Sequence, residues 1–123
     1  MARVVIMLVR IIALVELALG GAIASGRALS HLRLHIGLGF TISGLVLLLA
    51  IMAAVRKLPL PVILGALFAF LLPYGGVKQL PVRLGAAMDA VQIAHIVIAL
   101  STIGVAEFIH AQIRKSTKAE VRS

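Results

Sequence analysis

The sequence predicts an all-α membrane protein, an up-down four-helix transmembrane bundle. Three observations carry that expectation. Of 123 residues, 62% are hydrophobic and the mean hydropathy is +1.16, whereas a soluble domain is nearer half apolar. The apolar residues fall into four runs, mostly of the roughly twenty residues that a helix needs to cross a bilayer. The basic residues bracket those runs instead of gathering into one patch.

Segment one spans about Val4 to Ser25, segment two Leu34 to Val55, segment three Leu60 to Tyr74 and segment four Ala90 to Ile113. Backbone groups in lipid must find partners within their own segment, so each run is expected to be helical. Segment three is short, with Pro59 and Pro61 at its entry and Pro73 near its exit. Arg3, the apolar run and Ala22-Ile23-Ala24 also resemble a secretory leader, but the run is longer than a leader's apolar core. It is therefore expected to span. Short connections imply antiparallel neighbours. The domain expectation is residues 1–115 in the membrane and a polar, frayed cytoplasmic tail over 116–123.

Charge sets the orientation and removes one class of partner. Arg3, Arg10, Arg56, Lys57, Arg114, Lys115, Lys118 and Arg122 would share one side, and Arg27, Arg33, Lys78 and Arg83 the other. The richer side is cytoplasmic by the positive-inside rule. This makes the chain an integral protein of a prokaryotic plasma membrane with both termini cytoplasmic and the loop Gly75 to Gly85 outside. Arg10, within segment one, is expected to snorkel toward the cytoplasmic side. The formal net charge of +8 does not indicate nucleic acid, because no basic patch is interleaved with aromatics. The chain has no cysteine, which excludes disulfides, thiolate metal sites and covalent haem attachment.

The residues expected to carry function are His35 and His95. His35 lies 21 residues before Arg56, and His95 lies 19 residues before Arg114. At the helical rise, the two levels differ by about 3 Å. Two imidazoles at one level on helices running the same way would form a bis-histidine iron site holding one b-type haem. Gly39 and Ala99 follow the histidines by one turn on the same faces, where a porphyrin needs small residues. Gly37 and Gly44 give further room. Gln92 stands one turn before His95, within reach of a propionate or an imidazole. Arg33 and Arg83, with Arg27 and Lys78, lie at the same end and suit propionate carboxylates. His31, one turn before His35, is expected to be solvated or to contact a propionate. A bare metal ion would need further ligands, for which His31 and Asp89 are nearest. A second haem between Met52 and His110 would sit about 100° off the face of the first; His110 is expected to pair with Glu107 instead.

Glu16 lies deep in segment one, on the order of 10 Å inward of the histidine level. A charged carboxylate there is costly, so it is expected to be neutral or hydrogen-bonded, as a proton relay or a partner of the haem site. No nucleophile–base arrangement or phosphate loop is present.

The histidine placement resembles the four-helix half-module of the haem A synthase family, whose halves carry haem-ligating histidines on the second and fourth helices near the outer face. The resemblance covers most of the chain in topology and ligand placement, and implies that His35 and His95 are the ligands. The family has an acid shortly before the first histidine and often a cysteine pair; here His31, Leu32, Arg33 and Leu34 stand there, without cysteine. Haem-methyl oxidation is thereby set aside, and no stand-alone enzyme is expected. Leu72-Pro73-Tyr74-Gly75-Gly76, Gln92-Ile93-Ala94-His95 and Gly104-Val105-Ala106-Glu107 also look like a group of small bacterial four-helix membrane proteins, a likeness that implies no activity. Small multidrug transporters share the length and a first-helix glutamate that Glu16 matches, but are richer in aromatics than the five found here.

The expected function is thus haem binding for electron transfer or haem handling. A small proton-coupled transporter using Glu16 and a structural accessory subunit of a membrane complex are the alternatives. Expected partners are the lipid bilayer, a membrane redox partner or larger complex, and a second copy in a homodimer.

Overall fold

The computed structural model describes residues 1–65, 67 and 87–120. Among them all regular structure is helical: α1 (Ala2–Ala24), a 3-10 turn at Leu29–His31, α2 (Leu32–Val55) and α3 (Ala87–Glu120), the last carrying the fourth predicted segment. Residues 60–65 begin a further helix, with the Val62 amide donating to the Pro59 carbonyl at 2.9 Å. The rest of the third predicted segment, the Gly75 to Gly85 loop, Lys78, Arg83 and Arg122 lie outside the described residues. Three helices are long and apolar enough to cross a membrane: Ala2–Ala24, Leu32–Val55 and Ile93–Ala119.

Two of the helix ends explain how the chain reverses. At the end of α1 the Gly26 amide donates to the Ile23 carbonyl and the Arg27 amide to the Ala22 carbonyl, both at 2.9 Å. Gly26 has φ +75°, which glycine adopts without penalty at this position of a helix C-cap. The end of α2 repeats the pattern without glycine. Lys57 (φ 51°) donates its amide to Ala54, and Leu58 donates to Ala53. Pro59 then prevents the helix from resuming.

The three helices pack directly on one another, and the core is confined to one half of their length. Val5, Ile6, Val9 and Ala13 of α1 meet Ile42, Val46, Leu49, Ala50 and Ala53 of α2 and Ala106, Ile109 and Ile113 of α3. The spacings of three, four and seven are those of one helix face. Because the core uses the first half of α1 but the second halves of α2 and α3, α2 and α3 run together and α1 runs against them. Ser43 and Thr102 are buried in this region and donate back to the Gly39 and Ile98 carbonyls at 3.0 Å, which satisfies their hydroxyls inside the helix. In the other half, among the described residues, no apolar side chain between Leu14 and Thr41 or between Ile93 and Ser101 is fully buried. The histidines lie in that open half.

The last helix departs from expectation. The predicted tail from Ser116 does not fray: α3 continues to Glu120. Ser116 and Thr117 hydroxyls donate to the Ile113 carbonyl at 2.8 and 2.9 Å, and Arg56 from the end of α2 donates to Ser116 at 3.5 Å and Thr117 at 2.5 Å. Polar residues end an apolar run, but they do not end a helix whose hydroxyls and neighbours satisfy one another.

Candidate functional site

His35 enters from the first turn of α2 and His95 from the early part of α3. Their ring centroids are 5.9 Å apart, with the planes inclined by 56°. The rings meet because the helices run in parallel and each histidine lies near the start of its span. His35 Nδ1 lies 2.5 Å from Glu16 Oε2 on α1. The side chains of His35 and Glu16 are only 19% and 12% exposed. The pair does not meet hydrogen-bond geometry, so it is a close contact between ring and carboxyl group. His35 Nδ1 and Glu16 Oε1 both remain buried without a hydrogen-bond partner among the described residues. Such groups are costly unless further chemistry uses them.

Gly20 completes this side of the site. A Cβ placed on it would stand 3.4 Å from His35 Cε1, so the ring rests against bare backbone one turn beyond Glu16. The Gly20-Gly21 pair reads in sequence as a general packing signal; its specific use as a seat for an imidazole was not legible. Glu16 also differs from its expected depth, touching His35 instead of lying well inward of it. Counting from the shared α1–α2 connection gives the reason. Gly20 is four residues before the end of α1 and His35 three residues after the start of α2, so the two are level and Glu16 is one turn away.

Of the other predicted residues, Gly39 is open: a Cβ there meets nothing within 4 Å among the described residues, and the same is true of Gly37 and Gly44. Ala99 is half-buried on α3. Arg33 and Arg27 are exposed at the histidine end. His31 closes the 3-10 turn and caps α2 instead of belonging to it; it is exposed and exchanges a 3.1 Å hydrogen bond with Ser30 Oγ. Gln92 and Asp89 lie on α3 with their side chains outside the description, and Arg83 falls outside the described residues altogether. Among the described residues no group of three or more His, Asp or Glu is arranged to hold a metal ion.

Two charged residues pair differently from expectation. Arg10 does not snorkel along α1. Its Nε and Nη2 donate to Glu107 Oε1 and Oε2 of α3 at 2.5 and 2.9 Å. This two-pronged ion pair answers both charges inside apolar spans, where each alone would be expensive. His110 stays within electrostatic reach of Glu107 and, with Met52, also lines a cleft at the end of the bundle opposite the histidine pair. That Arg10 and Glu107 are opposite charges within two spans was readable; that they are lateral neighbours was not.

The chain matches no known family model, and no curated protein or solved structure is significantly similar to it.

Proposed function

We propose that this membrane-spanning chain holds one b-type haem between His35 and His95, for electron transfer or haem handling, within a four-helix bundle. The observation that carries the reading is the 5.9 Å separation of the two rings. Rings this close on two helices could each supply one nitrogen to a single iron porphyrin. A pair of histidines is a sufficient protein donor set where a porphyrin supplies the equatorial nitrogens, whereas a bare ion wants three or four protein ligands. The donor chemistry therefore fits a haem.

The surrounding residues support the same reading. A ligating histidine commonly has its second ring nitrogen against a carboxylate, which fixes the ring and raises its basicity. Glu16 lies against His35 Nδ1 without a hydrogen bond, so the nitrogen that would ligate is Nε2, and a small rotation of the ring would complete the hydrogen bond to the carboxylate. Gly39 leaves open space one turn from His35, and Ala99 presents only a methyl group one turn from His95. Arg27 and Arg33 supply cations at the same end for carboxylates. Bound there, a haem supplies a reversible one-electron Fe(III)/Fe(II) couple. The chain's own contributions are to fix both rings and to place a carboxylate beside one of them.

The test is an optical spectrum of protein purified from haem-replete cells. The expected result is a Soret band that His35→Ala and His95→Ala each abolish. A colourless preparation rejects the proposal. One observation favours a second reading, a proton-coupled transporter: Glu16 is a buried carboxyl group with one oxygen lacking a hydrogen-bond partner among the described residues. That reading predicts haem-free protein whose proton-coupled efflux is lost in Glu16→Gln.

A further inference from the structure

The end of the bundle opposite the histidines carries a cleft of about 450 Å³. It forms where the start of α1, the end of α2 and the last turns of α3 come together. Arg3, Arg56, Arg114 and Lys118 line it, with His110, and among the described residues no acidic side chain does. Arg56 is engaged with the hydroxyls of α3. No ion pair among the described residues occupies Arg3, Arg114 or Lys118. The N-terminus of α1 opens into the same cleft with no side-chain cap and no acid in its first turn. Its free amides and its dipole add to the positive field.

The cleft does not end at the charges. Met52 and Ile113 form an apolar part of its lining. A second cavity of about 300 Å³, sharing Met52 and Arg56 with the first, continues along α2 between Leu48, Ile51 and Val55. Ile51 and Val55 are 52% and 77% exposed on a helix apolar enough to lie in lipid. The arrangement is therefore a cationic cup joined to an apolar groove that leads into the membrane-spanning length of α2. A small hydrated anion would use only the cup. An amphiphile with an anionic head and hydrocarbon chains uses both.

We propose that this cleft binds an anionic phospholipid, its phosphate held by Arg3, Arg114 and Lys118 and an acyl chain laid along Leu48, Ile51 and Val55. Basic pockets between helices at a membrane surface recognise such headgroups through several simultaneous charge contacts, and arginine adds paired hydrogen bonds to phosphate oxygens. The site shares no lining residue with the histidine cluster, so it stands or falls independently of haem binding.

Native mass spectrometry of the full chain in a neutral detergent tests it, with phosphatidylglycerol, phosphatidylcholine of the same chains, and inorganic phosphate as the probes. The expected result is a one-to-one phosphatidylglycerol adduct, absent with phosphatidylcholine and undisturbed by an equal concentration of inorganic phosphate. Arg114→Gln/Lys118→Gln removes two cations and should weaken retention about 30-fold. Arg27→Gln/Arg33→Gln removes two from the other end and should leave retention unchanged. Circular dichroism checks that each variant is helical, and Lys118→Gln alone, near the end of α3, carries the test if the double variant does not fold. Equal retention of the two lipids, equal effects of the two double variants, or displacement by equimolar inorganic phosphate each overturns the assignment.

Discussion

Replacing Glu16 with alanine probes the histidine site most sharply, because it leaves the atoms of both proposed ligands in place. The carboxylate lies 2.5 Å from His35 Nδ1, and both side chains are more than four-fifths buried. Water therefore cannot readily take its place. His35 Nδ1 has no hydrogen bond to lose in this contact, so what the substitution removes is the carboxylate's hold on the ring. Loss of a carboxylate behind a ligating histidine lowers metal affinity about 10- to 100-fold. The expected outcome of Glu16→Ala is thus haem affinity reduced about 10- to 100-fold in a Soret titration of haem-depleted protein. Glu16→Gln, which keeps the size and a neutral acceptor, should recover part of that loss. The redox midpoint supplies a readout that a merely structural role would not move in a fixed direction. Removing an ionised carboxylate beside the ligand disfavours the ferric state and removing a neutral one does not, so a midpoint that rises in both variants identifies Glu16 as charged at the site. Wild-type affinity together with a wild-type midpoint in Glu16→Ala would refute the reasoning, even if His35 and His95 proved to be ligands.

Other substitutions test the surrounding architecture. A Cβ at Gly20 would stand 3.4 Å from His35 Cε1, an ordinary contact, so Gly20→Ala should retain haem, whereas Gly20→Leu must displace the ring and should weaken binding by about 1–3 kcal/mol in the same titration. Lys57 holds a left-handed conformation at φ 51°, which costs a non-glycine residue about 1–2 kcal/mol; Lys57→Gly should raise the midpoint of a thermal melt followed by circular dichroism, by the equivalent of about 1 kcal/mol. Arg10→Met strands the Glu107 carboxylate within an apolar span and should lower that midpoint more than Arg10→Met/Glu107→Met, which removes both charges; the opposite ranking would show that the ion pair does not act as a unit.

How much of this was legible in the sequence depended on what each signal measures. Hydropathy located the three long described helices and placed the C-terminal ends of α1 and α2 within a residue, but it missed the end of α3, because a helix ends where hydrogen bonds and caps dictate. Ser116, Thr117, Lys118 and Glu120 are polar yet helical, whereas at Gly26 and Lys57 the backbone geometry that stops a helix coincides with the end of an apolar run. Residue counting from the basic ends brought His35 and His95 to one level, because α2 and α3 run in parallel and share that reference. The same counting misplaced Glu16, because α1 runs the other way and its register against α2 is set at their connection. Lateral neighbours such as Arg10 and Glu107 depend on helix rotation and crossing, which four short runs of one sequence do not specify.

The uneven packing along the bundle links the fold to both proposed sites. A core of Val9, Val46, Leu49 and Ile109, each fully buried, fixes the three helices against one another in one half of their length. Close-packed side chains hold a single arrangement, so the other half, loosely packed among the described residues, keeps its helices in their relative positions. Opening costs burial there, which explains why the histidine level has large exposed residues such as Leu34, Ile96 and Val97 around a small polar cluster. A rigid half that orients an open half is what two ligands on different helices require, since a displacement of about 1 Å suffices to spoil a preorganised site. The same rigid half ends at the basic cleft, where it also sets the spacing of Arg3, Arg114 and Lys118. Loosening the shared core, for example by Leu49→Ala, should therefore impair haem retention and anionic-lipid retention together, although Leu49 lines neither site. Independent responses of the two to that one cavity-forming change would show that the core does not position both ends.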